Sequence, residues 1–245
     1  NLRDRQKMVS SYPILPAGFT HLQDGNLKAI ICDMDGLLLD TEAVSWHTFC
    51  AASRAVSHEP DEILFAQLTG LSGPAHRPIL IATLPVHIDA IAFDADWKQR
   101  YHQMLSEHVP PKPQAAAFLQ AVRHAGIRLS VATSSQTPKA ETNLEKAGFL
   151  SFFEHITGGD QVAIAKPAPD IYVRALQKLG LGPENCLVFE DSNNGVRAAQ
   201  AAGLAVIQVP DLQKPSDDLM AEGYLSVPSL QSALSILKIG SGSPE

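Results

Sequence analysis

Short apolar runs occur near residue 30 and, alternating with longer amphipathic stretches, over the second half of the chain. The runs KAIIC (28–32), IRLSVA (127–132), NCLVFE (185–190) and LAVIQV (204–209) have the length and composition of buried strands. The stretches QAAAFLQAVRHAG, TPKAETNLEKAG, APDIYVRALQKLG and SNNGVRAAQAAG repeat their apolar residues at the spacing of a helix. This alternation predicts an α/β fold, a Rossmann-like doubly wound parallel sheet covered by helices on both faces.

Glycine and proline mark the ends of these predicted helices. Gly126 ends the first helix, and Gly148 stands just past the end of the second. The second helix has Pro138 at its first position, which predicts Thr137 as its N-cap.

Residues 44–109 have a different pattern, which is mostly helical. The clearest helical pieces are DEILFAQLTGL and FDADWKQRYHQMLSEHV, and the prolines of PPKP (110–113) end the block. We therefore predict an insertion in the α/β unit. The predicted organisation is an N-terminal extension (1–26), a core (27–43 and 110–238), an inserted helical domain (44–109) and a flexible tail (239–245).

Composition and charge exclude several classes of function. The 245 residues are 45% hydrophobic and carry a formal charge of −7 without a basic run, so neither a nucleic acid nor an anionic membrane is an expected partner. No apolar stretch is long enough to span a bilayer, and the first 26 residues lack the apolar run of a signal peptide. Of the three cysteines, Cys32 and Cys186 lie in predicted strands, where packing is the expected role. A cytoplasmic location fits this cysteine content.

Polar side chains follow three of the predicted strands. Asp33 and Asp35 follow the first strand, Thr133 to Ser135 the second, and Glu190 and Asp191 come at the end of NCLVFE. Because the carboxyl ends of parallel strands meet at one edge of a sheet, these groups should converge. Clustered carboxylates need a cation, and Mg²⁺ prefers oxygen ligands. With the hydroxyl groups and Lys166 of AKPAPDIY, such a site suits a phosphoryl group.

Four segments in order, DMDGLLLDTE, VATSS, KPAPDIY and EDSNNGVRAAQAAG, carry a family resemblance that spans about residues 28 to 210. The chain resembles the haloacid dehalogenase superfamily, in particular the phosphatases and phosphomutases of its helical-cap, beta-phosphoglucomutase-like branch. The resemblance implies a Mg²⁺-dependent phosphomonoester hydrolase that works through an aspartyl-phosphate. The expected substrate is a small organophosphate, either a sugar phosphate or a nucleotide-like monophosphate, and the expected assembly is a monomer or a weak dimer.

The resemblance also assigns catalytic and metal-binding roles. Asp33 matches the nucleophile and is also expected among the metal ligands. Asp35 matches the general acid/base, whose backbone carbonyl is likewise expected to bind the metal. Asp191 matches a metal carboxylate, and Glu190 a neighbour that binds the metal directly or through water. Read without the family, Asp33 could be a turn or cap aspartate, and Glu190 a solvated acid at a helix start.

The phosphate group has its own expected contacts. Thr133 matches the hydroxyl that holds a phosphate oxygen, and Lys166 the lysine that balances the charge of the nucleophile and the phosphate. The backbone N–H groups of Met34, Asp35 and Ser134 should complete the cradle. Aspartate at position 35 argues against dehalogenation, because a phosphoryl-transfer enzyme needs a proton donor there.

The insertion corresponds to the cap that closes over the site in this family. Where the mutases of this branch have a cap histidine and a cap arginine, this chain has Ser45 and Gly73, which favours water over a second hydroxyl as phosphoryl acceptor. LTGLSGPAHRP (68–78) resembles the specificity loop of the cap. Its His76 and Arg77 either contact substrate or are structural. Asp40 is either a hinge hydrogen-bonder or a plain helix cap, and His47 should point away from Ser45.

A phosphomutase is the nearest alternative, since it shares the first half-reaction. An alternative of another class is a phospho-receiver signalling domain, which also combines acidic residues, a hydroxyl and a lysine on a doubly wound sheet. Receivers are much shorter and have no cap.

Overall fold

The computed structural model describes Phe19 and residues 26–69, 73–212, 214–221, 224–237 and 239, without the side chains of 73–75 and 221. The predicted N-terminal extension and flexible tail lie almost wholly outside these residues.

Six strands form one parallel sheet, as the alternating pattern predicts. Their order is β3-β2-β1-β4-β5-β6, with the first strand at an inner position. The strands are β1 (Ala29–Cys32), β2 (Arg128–Ala132), β3 (His155–Thr157), β4 (Cys186–Glu190), β5 (Ala205–Gln208) and β6 (Leu225–Ser226). The pattern missed β3 and β6, because three and two residues are too few to show a periodicity.

Four helices lie between β1 and the returning chain, in the predicted insertion: α1 (Thr41–Ala55), α2 (Glu62–Leu68), α3 (Gly73–Thr83) and α4 (Ala90–Glu107). They enclose an apolar cluster of their own, which includes Phe49, Phe65, Phe93 and Trp97. A helical insertion with a separate core is therefore present. The exact domain boundaries stay a prediction, and α1 begins three residues before the predicted start at 44.

The remaining helices cover both faces of the sheet: α5 (Ala115–His124), α6 (Thr137–Lys146), α7 (Asp170–Leu179), α8 (Asn193–Ala201), α9 (Asp217–Ala221) and α10 (Leu230–Leu237). Alternate residues of β1 enter different clusters, since Ile30 packs with Phe118 on one side and Ile31 with Tyr172 on the other. This arrangement confirms the doubly wound fold class. No helix in the described part of the chain has the length and apolar character needed to cross a bilayer.

The two linkers between the core and the insertion run side by side. The N–H of Asp40 donates to the carbonyl of Pro110 at 2.8 Å, and the N–H of Lys112 donates to the carbonyl of Leu38 at 2.8 Å. The entry and exit of the insertion are thereby held together beside the end of β1.

The predicted N-cap of α6 is wrong. Thr137 is the first helical residue, and Gln136 occupies the cap position without a side-chain cap bond. The carboxylate of Asp160 accepts hydrogen bonds from the N–H of Thr137 at 2.7 Å and from its hydroxyl at 2.8 Å. The capping group thus comes from the loop after β3, which the local sequence of the helix does not reveal.

Candidate active site

A buried lysine lies between two carboxylates at the carboxyl end of the central strands. Lys166 Nζ is 2.6 Å from Asp33 Oδ1 and 2.6 Å from Glu190 Oε1, and it also donates to the carbonyl of Ala132 at 3.1 Å. The Lys166 side chain is only 6% exposed. The register explains the meeting, because Cys32, just before Asp33, pairs with Val131 on one side and Phe189 on the other. The predicted convergence of these strand ends is therefore present.

Glu190 is fully buried, and both of its oxygens accept several hydrogen bonds. Oε1 accepts from Lys166 and from the hydroxyl of Tyr172 at 2.7 Å, and Oε2 accepts from the N–H of Asp191 at 3.1 Å and from the N–H and hydroxyl of Ser192. Sequence reasoning missed the role of Tyr172. Glu190 thus fixes Lys166 and the turn that carries Asp191, in addition to any contact it makes with a cation.

Asp35 is held by three hydroxyl groups. Oδ1 accepts from Thr41 at 2.9 Å, and Oδ2 accepts from Ser135 at 2.9 Å and from Thr133 at 3.3 Å. Thr41 is the first residue of α1, whereas Thr133 and Ser135 follow β2. The carboxylate therefore lies where the cap linker meets the core, beside the residues predicted to hold phosphate.

The predicted phosphate cradle lies beside Asp35. Thr133 Oγ1 accepts from the N–H of Ser135 at 3.1 Å, and the carbonyl of Met34 accepts the N–H groups of Leu38 and Leu39 in a tight turn. Behind Ser134 the loop after β3 approaches so closely that a Cβ on Gly159 would lie 2.5 Å from the Ser134 carbonyl. This loop supports the chain segment that carries the predicted cradle.

Asp33, Glu190 and Asp191 offer oxygens that all lie within 4.8 Å of one another. Gly36 lies directly against this group and has a positive φ of 83°. A Cβ at that position would lie 2.3 Å from Asp191 Oδ2. Only glycine leaves room there for the aspartate. The side chain of Asp35 lies outside the group, so its predicted share in metal binding rests on its backbone carbonyl.

The electrostatics of the group fit a divalent cation. Burial raises the pKa of Asp33 to about 7, with Lys166 opposing and Glu190 and Asp35 adding to the rise. Burial, together with Glu190, Asp33 and Glu42, also raises the pKa of Asp191 well above its usual range. Burial acts on Glu190 in the same direction, but Lys166 and the hydrogen bonds outweigh it, and its pKa is lowered. The single positive charge of Lys166 therefore does not balance the three carboxylates, which leaves room for a further cation. Carboxylate oxygens are the type of ligand that Mg²⁺ prefers.

Two further acids lie near the site, and sequence reasoning missed both. Burial raises the pKa of Glu42 to about 7, with the nearby carboxylates of Asp35 and Asp211 adding to the rise and Lys112 opposing it. Asp211 follows β5 and forms an ion pair with Lys112 at 2.5 Å. The sequence signal available for Asp211 was its place after a predicted strand.

Asp40 lies in the linker that enters the insertion and contacts the linker that leaves it. Although it precedes α1, its side chain makes no cap hydrogen bond, and its Oδ1 lies 2.9 Å from Lys112 Nζ. Of the two alternatives left by the sequence, the structure favours the hinge contact.

The residues predicted to read the substrate lie in a helix and not in a loop, because α3 begins at Gly73. The ring of His76 stacks on Trp97 at 5.4 Å, and Arg77 Nε is 3.6 Å from Asp94 Oδ2. The carbonyl of Ser45 accepts the indole N–H of Trp97 at 3.1 Å, whereas His47 is exposed. These are structural contacts, and substrate contact by His76 or Arg77 stays a prediction.

The fold and the site together define a Rossmann-like α/β protein with an acidic centre at the strand ends and a helical insertion whose linkers lie beside that centre. Residues 30–209 match the family model described as haloacid dehalogenase-like hydrolase. The chain is 35% identical over 219 residues to protein CbbY of Rhodobacter capsulatus, covering 84% of this chain and 95% of the relative. It is 30% identical over 217 residues to the phosphorylated carbohydrates phosphatase of Thermotoga maritima, covering 86% and 99%.

Among solved structures, CbbY of Rhodobacter sphaeroides, as a variant in complex with xylulose-1,5-bisphosphate, superposes with a TM-score of 0.66 at 28% identity, covering 83% of this chain and 95% of the other. The chain therefore belongs to the haloacid dehalogenase-like hydrolase family, and it is a phosphatase of that family.

Proposed function

We propose that the chain is a Mg²⁺-dependent phosphomonoester hydrolase whose substrate is a small sugar phosphate. The observation that carries the proposal is the position of Asp33, which is shared between Lys166 at 2.6 Å and the acidic group formed with Glu190 and Asp191. A nucleophilic carboxylate needs this setting, because Lys166 favours its ionised form, and a Mg²⁺ ion bound by the acidic group would favour it further and lower the repulsion of an incoming phosphate. The Thermotoga maritima relative, which is named as a phosphorylated carbohydrates phosphatase, supports this substrate class.

The reaction runs in two half-reactions. A carboxylate oxygen of Asp33 attacks phosphorus, the ester P–O bond breaks, and Asp35 in its acid form gives its proton to the leaving oxygen. Asp35 then takes a proton from water, the water oxygen attacks phosphorus, and the Asp33–phosphorus bond breaks to release inorganic phosphate and a free carboxylate.

The other groups hold these two carboxylates and the phosphate. Asp33, Asp191 and, directly or through water, Glu190 would bind Mg²⁺, together with the backbone carbonyl of Asp35, and the ion would supply positive charge to the phosphoryl oxygens. Thr133, the N–H groups of Met34, Asp35 and Ser134, and Lys166 would hold the phosphate. Thr41 and Ser135 orient Asp35.

A phosphate-release screen tests the proposal. The full chain with Mg²⁺ should release phosphate from at least one sugar phosphate of a panel, lose this activity in excess chelator and regain it with Mg²⁺. Asp33→Asn should lose turnover, while Asp96→Asn, at a half-buried acid of α4 that pairs with Arg100, should keep it. A tenth or more of the wild-type rate in Asp33→Asn would exclude Asp33 as the nucleophile.

The same screen separates hydrolysis from mutase activity. Hexose 1-phosphate should give free phosphate and not the 6-phosphate isomer, with or without a bisphosphate primer, because Ser45 and Gly73 provide no charged group to couple cap closure to a second substrate hydroxyl. Steady isomer formation without equal phosphate release would replace the hydrolase by a phosphomutase.

A further inference from the structure

Asp211, in the loop after β5, has one satisfied and one unsatisfied carboxylate oxygen. Oδ1 accepts a hydrogen bond from Lys112 Nζ at 2.5 Å. Oδ2 is buried and has no hydrogen-bond partner among the residues that the structure describes. A buried carboxylate oxygen without a donor is costly, so a donor that the described residues do not supply is expected.

Gly36 locates this oxygen next to the candidate metal group. The point that a Cβ on Gly36 would occupy lies 2.3 Å from Asp191 Oδ2 and 3.4 Å from Asp211 Oδ2. The unsatisfied oxygen of Asp211 and an oxygen of Asp191, which belongs to the candidate metal group, thus lie near the same point beside Gly36. Glycine with a positive φ keeps that space free of a side chain.

Lys112 fixes the direction of Asp211. The lysine lies in the linker that returns from the insertion, and its ammonium group lies between Asp211 and Asp40 of the other linker. The side chains of Lys112 and Asp211 are only 17% and 15% exposed. The arrangement parallels that of Lys166 between Asp33 and Glu190, so that one lysine serves each side of the acidic centre.

We propose that Asp211 is a positioning residue of the metal site. Its Oδ2 accepts a hydrogen bond from a water molecule in the shell of the Mg²⁺ ion held by Asp33 and Asp191, and Lys112 holds the carboxylate in the direction that this bond requires. The inference rests on the proposed function for the identity of the ion. It assigns to Asp211 and Lys112 a role in cation affinity that does not depend on the substrate.

Calorimetric titration of the metal-free full chain with Mg²⁺ tests the inference without any substrate. Asp211→Asn should weaken Mg²⁺ binding about tenfold or more, the usual range for groups that orient metal ligands. The matched control is Asp218→Asn, which makes the same charge change at an exposed acid paired with Arg197 and should alter affinity less than about twofold. Equal affinities in the two variants would overturn the inference.

Lys112→Met adds a test of sign. Removing a positive charge near a cation site should tighten Mg²⁺ binding if charge alone matters, whereas loss of the fixed Asp211 should weaken it. Weaker binding supports the positioning role, and tighter binding contradicts it. In melting curves without Mg²⁺, a lower midpoint of Asp211→Asn combined with an unchanged affinity for Mg²⁺ would indicate a structural role only.

The outcomes separate this inference from the proposed function. Asp211-dependent Mg²⁺ binding without phosphate release from any ester would retain the inference and remove the hydrolase. Mg²⁺-dependent phosphate release, combined with an unchanged Mg²⁺ affinity in Asp211→Asn, would retain the hydrolase and remove the inference. A wild-type chain that binds no Mg²⁺ would overturn the role of Asp211.

Discussion

Lys166 Nζ donates a hydrogen bond to Asp33 Oδ1 at 2.6 Å, although 133 residues separate the two in the chain. The same ammonium group is equally close to Glu190, so one buried cation serves two buried carboxylates. Lys166 therefore affects both the stability of this edge of the sheet and its catalytic chemistry, because removing the ammonium group leaves two buried carboxylates without their partner.

Lys166→Met should therefore abolish turnover and lower the free energy of unfolding by about 3–5 kcal/mol at neutral pH, the usual range for breaking a buried ion pair on one side. The measurements are phosphate release and denaturant unfolding in the absence of metal. Lys146→Met is the control, since among the described residues this exposed lysine donates only to the carbonyls of Leu105 and Ser106. A Lys166→Met chain as stable as the control would show that the pair contributes no net stability.

Asp35→Asn should slow both half-reactions, because one group gives a proton and later takes one. For an alkyl phosphate we expect a fall of about 10²–10⁴-fold, the usual contribution of general acid–base catalysis. For p-nitrophenyl phosphate the fall should be smaller, since the leaving group departs without a proton. Rates of phosphate release with the two substrates check this, and equal losses would count against the acid role.

Gly195→Ala should destabilise the chain although it lies in helix α8, where alanine is the better helix former by about 1 kcal/mol. A Cβ on Gly195 would lie 1.9 Å from the carboxyl carbon of Glu190, a contact that neither the helix nor the buried acid can relieve cheaply. We expect a loss of about 3 kcal/mol or more in the free energy of unfolding.

Gly126→Ala provides the comparison for Gly195→Ala. Its φ is 71° and no atom of the described residues lies within 4 Å of the added Cβ, so only backbone strain of about 1 kcal/mol is expected. A smaller loss in Gly195→Ala than in Gly126→Ala would refute the close contact with Glu190.

Asp160→Ala should lower the melting temperature at pH 7, because Asp160 caps the start of α6. Hydrogen bonds from the N–H and hydroxyl of Thr137 lower the pKa of Asp160 from its ordinary value of 3.8. A lowered pKa means that the ionised carboxylate stabilises the folded chain above the unfolded pKa, and that this stabilisation is lost as the pH falls through the folded pKa.

The difference in melting temperature between wild type and Asp160→Ala should thus be full at pH 7 and shrink as the pH falls below 3.8. Gln136→Ala, at the nominal cap position, should have a smaller effect at both ends of the range, since its side chain makes no cap bond. A difference that does not change with pH would mean that Asp160 acts through packing and not through its charge.

The sequence by itself determined the class of fold and the chemical groups at the strand ends. Strand and helix periods are local properties of the chain, and so is the position of Asp33, Thr133 and Glu190 directly after or at the end of an apolar run. Parallel strands then bring such residues to one edge whatever the details of packing. For this reason the positions of the acidic residues after the strands were enough to predict their convergence, whereas the place of Lys166 beside them was implied by the family resemblance of KPAPDIY.

The tertiary structure alone decided which partner each group has. Tyr172 meets Glu190, Asp160 caps α6 in place of Thr137, and Lys112 joins Asp211 to the hinge, because helices and loops distant in sequence pack against the same strand ends. A donor and an acceptor that are 99 residues apart leave no periodic signal in the chain. Their pairing depends on the packed geometry that encloses them, where a buried polar group needs whichever partner the fold places within reach.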